Sequence, residues 1–174
     1  LGELRGFASY LSALYRYLRE PVSEHEAIAR IRRQLERRDE SFLELLADGV
    51  FANPDSPYRI LFAEAGMEHG DVVGLVRKEG LDAALERLYD AGVRVSLAQL
   101  RGQAPIGREG IPARVEHFDN PLARTHFEVR TGGSRSKGVP IGWNFAMVEY
   151  QVGYHMLLFR AHGVSSAPTG NWRP

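Results

Sequence analysis

Between Phe145 and His162, the residues Ala146, Val148, Tyr150, Val152, Tyr154, Met156, Leu157, Leu158 and Phe159 leave few polar positions. A helix that is apolar on most sides needs cover on most sides. Gly163 supplies its stop. The short strand–loop–strand pattern before it is too small to cover both faces. The missing cover is expected from further chain, from a partner subunit or from a second copy of this chain.

The residues before that segment divide by character. Leu4, Phe7, Ala8, Leu11, Leu14, Tyr15 and Leu18 recur at helical spacing and predict an amphipathic helix with that stripe inward, ended by Pro21. Ser23 and Glu26 have the spacing of a capping box, and a second helix follows with Ile28, Ile31, Leu35, Phe42 and Leu46 inward. Ser41 and Glu44 repeat the box spacing, which predicts a break near Asp39; RRQLERRDE reads as a solvated face. In NPDSPYRILFAEAG, Ser56 suits the cap, Pro57 the first turn and Gly66 the stop. Further short helices are expected over Asp71–Lys78, Leu81–Ala91 and from Ser96 to about Leu100.

RGQAPIGREGIPARVEHFDNP then reads as loop with short extended pieces, and Asp119-Asn120-Pro121 within it as turn chemistry. THFEVR and VPIGW read as strands around TGGSRSKG. The expected class is therefore α/β, in two parts: a helical region over 1–101, and over 102–174 the start of an α/β layer that is incomplete as a stand-alone core.

Charge and composition exclude several function classes. The 174 residues carry 22 basic and 22 acidic side chains, so the basic excess of a nucleic-acid-binding domain is absent. No uninterrupted apolar run approaches the roughly 18 residues of a membrane span. Cysteine is absent, which removes thiolate metal sites and nucleophiles and fits a reducing, cytoplasmic compartment. Of the six histidines, none stands in an H-E-x-x-H or a similar ligand spacing, and His155 and His162, seven residues apart, read as packing or surface residues. The chain opens on Leu1 rather than Met, so a processed, trimmed or excised chain is expected.

TGGSRSKG is the segment with the clearest chemistry. Gly132, Gly133 and Gly138 allow backbone N–H groups to approach an anion; Thr131, Ser134 and Ser136 add hydroxyl donors; Arg135 and Lys137 add positive charge. A hairpin tip has the same composition, and the residues by themselves leave both readings open. The spacing does exclude two others. A Walker loop needs Lys and Ser/Thr where Val139 and Pro140 stand, and a nucleophile elbow needs glycine where Ser136 stands.

SPYRILFAEAGM, with LYDAGVRVSLAQLRG after it, resembles the N-terminal helical region of adenylate-forming enzymes of the phenylacetate–CoA ligase and acyl-protein synthetase branch. FDNPLARTHFEVRTGGSRSKGVPI resembles the start of their catalytic core, where a Ser/Thr/Gly-rich loop grips the phosphates of ATP, and SSAPTGNWRP is similar to the strand after the next helix. The resemblance runs from about Ser56 to the end, with Ser136 in place of a usual glycine and Arg135 in place of a hydroxyl residue. It implies that Thr131, Gly132, Gly133, Ser134, Arg135, Ser136, Lys137 and Gly138 hold ATP with Mg2+. It further implies that a carboxylic acid is adenylated and its acyl group passed to a thiol of coenzyme A or a carrier protein. The acyl pocket, the ribose-binding Asp and the mobile domain of that family would lie beyond Pro174, so the 174 residues are expected to lack ligase activity by themselves. The alternative from another class is a non-catalytic helical interaction module or scaffold that packs on a partner or on a second copy.

Overall fold

The structure is a computed structural model. It describes residues 2–20, 22–112, 114–123, 125–130 and 140–168, and of residues 2–6 and 9 the backbone only. The described chain is mostly helical, with one two-stranded antiparallel sheet. In order it forms α1 (Gly2–Arg19), α2 (Glu24–Glu36), α3 (Arg38–Glu44), a π-helical turn (Leu45–Phe51), α4 (Tyr58–Glu64), α5 (His69–Glu79), α6 (Leu81–Asp90) and α7 (Leu97–Leu100). A 3-10 turn (Val115–Phe118), β1 (Phe127–Arg130), β2 (Pro140–Trp143) and α8 (Phe145–Ala161) follow.

These elements gather into two compact units, Leu1–Glu36 with Ala123–Pro174, and Arg37–Leu122. The 1–101 and 102–174 division follows secondary-structure character, whereas the compact units divide the chain at 36/37 and 122/123.

In the first unit α2 and α8 lie antiparallel. Glu24 pairs with Arg160 near one end of the contact and Arg30 with Glu149 near the other. Between these ion pairs Ala27 is buried on α2 and Gly153 on α8, and Ile31 is buried just past Arg30. Both pairs are partly exposed and add little by themselves; the close approach at Gly153 sets the contact. The predicted capping box starts α2. The Ser23 N–H donates to Glu26 Oε2 at 2.9 Å, and the Glu26 N–H donates to Ser23 Oγ at 3.3 Å.

The second unit has its core between the π-helical turn, α4, α5 and α6, where Leu46, Val50, Phe62, Val72, Val76 and Leu88 are buried. Gly80 alone separates α5 from α6, with φ 83° and ψ 164°, a conformation open essentially to glycine. That sharp reversal lets the two helices pack side by side. Gly66 closes α4 as expected: at φ 65° it lets its own N–H reach the Ala63 carbonyl while the Met67 N–H reaches that of Phe62. A second small core joins Leu61 to Ile106, which is fully buried and bridged to Ile111 across the glycine-rich loop.

Several expectations need correction. Most of the stripe of α1 predicted inward faces out: Phe7 is 60% and Leu18 69% exposed, with Ala8, Leu11 and Tyr15 exposed between them, while Leu14 is half-buried and the Leu4 side chain lies outside the described residues. The helix instead turns Tyr10 and Tyr17 toward the first unit, because large aromatic partners are there to receive them. Leu35, predicted inward on α2, is exposed. The break falls at Arg37, and Ser41 lies inside α3 rather than capping it. Downstream the chain widens into a π turn, with the Ala52 N–H bonded to the Ala47 carbonyl at 2.8 Å, so Leu46, Gly49 and Val50 are buried together. The cap of α4 falls on Pro57, with Ser56 one residue outside and buried.

Candidate functional site

β1 and β2 pair antiparallel with Phe127 opposite Trp143 and Arg130 opposite Pro140. All eight residues singled out as phosphate ligands, Thr131 to Gly138, lie outside the described residues. The structure describes what holds the two ends of that segment. The chain leaves β1 at Arg130 and returns at Pro140 directly across the ladder. Pro140 gives up no needed hydrogen bond at such an edge position. On one face Glu128 and Arg130 are exposed, with Arg130 Nη2 3.6 Å from Glu128 Oε1. On the other, Phe127 and Val129 are half-buried.

Two short strands are marginal in water unless one face packs on something. Here Phe127 meets Phe145 with ring centroids 5.5 Å apart and Tyr10 edge-on at 6.1 Å. Phe145 also meets Tyr17 at 5.4 Å and His126 at 5.6 Å. The ladder is thereby fixed on α1 and on the first residue of α8. Close approach fixes it further at Gly142, where a Cβ would stand 2.5 Å from Thr125 Oγ1.

The strand passes into α8 through a single residue. Asn144 takes extended geometry and its side chain accepts from the Met147 N–H at 2.9 Å, a standard cap. The Phe145 N–H donates to His126 Nδ1 at 3.2 Å, and the His126 N–H donates to the Trp143 carbonyl at 2.7 Å. His126 thus ties the base of β1 to the start of α8, a structural role that its sequence context does not reveal.

α8 is less covered than its composition predicts. Phe145 and Gly153 are buried, but Met147, Tyr154 and Leu158 are exposed. Among the described residues no group of three or more His, Asp and Glu is arranged to hold a metal ion. His155 stacks on Phe159 at 6.1 Å, and His69 stands edge-on to Phe51 at 5.3 Å with Nε2 buried and without a hydrogen-bond partner among the described residues.

The SPY segment builds core in the second unit. Tyr58 is half-buried and edge-on to Phe118 at 6.1 Å, and burial raises the pKa of its phenol. It also borders an apolar cavity of about 450 Å³, whose floor is formed by the buried Leu46, Val50, Phe62 and Leu88. No sequence motif marked this cavity, because its walls come from α3, the π turn, α4, α6 and the segment after it.

No family model, no curated protein and no solved structure matches this chain.

Proposed function

We propose that residues 131–138 bind the phosphates of ATP, and that this chain is the N-terminal portion of an acyl-adenylate-forming ligase or synthetase. The observation that carries the proposal is a conjunction. A segment of glycines, hydroxyls and two cations has both ends held by an antiparallel ladder closed at Arg130 and Pro140, and a capped helix follows at once. This order of elements is the one the resemblance implies.

The donor set suits a polyphosphate. Gly132, Gly133 and Gly138 offer N–H groups without a side chain in the way; Thr131, Ser134 and Ser136 offer hydroxyls; Arg135 and Lys137 offset negative charge. It contains no carboxylate, so Mg2+ would arrive on nucleotide oxygens rather than on this segment. In the proposed reaction a substrate carboxylate oxygen attacks the α-phosphorus of ATP, the bond to the β-phosphate bridging oxygen breaks, and pyrophosphate leaves. The acyl group then passes to a thiol of coenzyme A or a carrier protein, releasing AMP. Lys137 and the hydroxyls would hold the β- and γ-phosphates and stabilise charge on the departing pyrophosphate.

The test is ATP titrated into the protein and its Lys137→Ala and Ser134→Ala variants. Each lost charge-assisted hydrogen bond is expected to weaken binding about tenfold or more. In a parent protein active in acid-dependent ATP–pyrophosphate exchange, both variants should slow adenylation more than they weaken acid binding. Unchanged affinity and rate in both would sink the proposal and leave 131–138 as a hairpin tip.

The outward faces of α1 and α8 favour a second reading, an interaction module. Phe7, Leu11, Tyr15 and Leu18 on one helix, and Tyr154 and Leu158 on the other, are exposed apolar side chains. Sedimentation at rising concentration tests self-association; a monomer at every concentration counts against packing on a second copy.

A further inference from the structure

The apolar cavity of the second unit supports an inference independent of the phosphate segment. At about 450 Å³ it falls in the range of small-molecule sites, which are mainly apolar with a few polar groups that orient the ligand. Its buried floor opens to the surface beside Leu85 and Tyr89, both exposed. Among the described residues Arg94 is the one charged residue in the lining. Its guanidinium carbon lies 4.5 Å from the centroid of the Tyr89 ring, which holds the cation beside the opening. No carboxylate pairs with Arg94 among the described residues. Tyr58 belongs to the same lining. An apolar chamber bordered by a cation without a carboxylate partner is complementary to a molecule with a hydrocarbon body and one anionic acceptor.

We propose that this cavity binds an apolar monocarboxylate, its hydrocarbon part within the chamber and its carboxylate on the Arg94 guanidinium. Filling the chamber removes apolar surface from water, so affinity should rise about fourfold per added methylene until the space is full. The carboxylate accepts from the guanidinium at a solvent-exposed rim, where a charge pair adds a modest increment of about fivefold. Chain length thus sets most of the affinity, and Arg94 selects the acid over the corresponding alcohol.

The experiment is calorimetric titration of the full chain with octanoate, decanoate and decanol. Decanoate should bind more tightly than octanoate. Arg94→Gln should weaken decanoate about fivefold and leave decanol unchanged. Leu85→Trp, a change at an exposed rim position that leaves the core intact, should weaken both ten-carbon probes by about tenfold or more. Three outcomes would overturn the proposal: no saturable decanoate binding by the wild-type chain; equal losses for decanoate and decanol in Arg94→Gln; or concentration-dependent self-association abolished by Leu85→Trp, which would assign the opening to a second copy of the chain. ATP binding by residues 131–138 does not enter these measurements, so either proposal can fail without the other.

Discussion

Gly153 of α8 faces Ala27 of α2 so closely that a Cβ on the glycine would lie 3.3 Å from the Ala27 Cβ and 3.5 Å from Ile31 Cδ1. The two helices meet there backbone to methyl. Within α8, glycine costs about 1 kcal/mol of helix propensity relative to alanine, so the position is kept for space rather than for helix formation.

Gly153→Leu should therefore force the helices apart. The expected cost is about 1–3 kcal/mol, the usual penalty of overpacking, seen as a lower urea midpoint. An unchanged midpoint would mean that α2 and α8 are not in contact at this site in solution.

Gly142 poses a similar constraint in the sheet. An added Cβ would stand 2.5 Å from Thr125 Oγ1 and 3.1 Å from Thr125 Cγ2. Gly142→Ala must push the threonine off its rotamer at a cost of about 1 kcal/mol. Thr125→Ala removes both clashing atoms, so the double variant should recover most of the loss in a thermal unfolding double-mutant cycle.

Asn144 carries the cap at the start of α8. Asn144→Ala should lower stability by about 1 kcal/mol, and Asn144→Asp should be tolerated because it keeps an acceptor oxygen in place. Amide exchange of Met147 gives the local readout: faster in the alanine variant, near wild type in the aspartate variant.

Glu26 sets a pH dependence at the start of α2. Its carboxyl pKa is lowered, first by the hydrogen bond from the Ser23 hydroxyl and next by that from the Ser23 N–H. A carboxyl with a depressed folded pKa contributes stability that is fully present above its unfolded pKa and is lost as pH falls through the folded value. Acidification should fray the first turn of α2. Glu26→Gln, which keeps a capping-box side chain without the titration, should flatten that acid-side loss. NMR titration of the Glu26 carboxyl checks the direction; a midpoint at or above the ordinary value would contradict it.

How much of this could be read from sequence depends on the range of the interaction. The Ser23–Glu26 box, the Ser96 start of α7 and the Gly66 stop were legible because each involves neighbours within one turn. The strands 127–130 and 140–143 were legible for a similar reason, lying on either side of one glycine-rich segment. The buried face of α1 was not. Its apolar stripe and its Tyr10–Tyr17 side are both plausible, and Phe127 and Phe145, far along the chain, select the second. The π turn at Leu45–Phe51 shifts the helical register with no sequence mark, and the cavity beside Arg94 exists only once α3, α4, α6 and the turn have met. The candidate phosphate ligands were legible as chemistry, and their geometry lies outside the described residues.

The division of the chain has a consequence for synthesis. Arg37–Leu122 is continuous and can close its core as soon as it leaves the ribosome, whereas α2 must wait for α8, encoded after that whole unit. Until then Ala27 and Ile31 face water. The first unit therefore folds late and from distant pieces, which makes the nascent chain most open to chaperone capture between the emergence of α2 and that of α8.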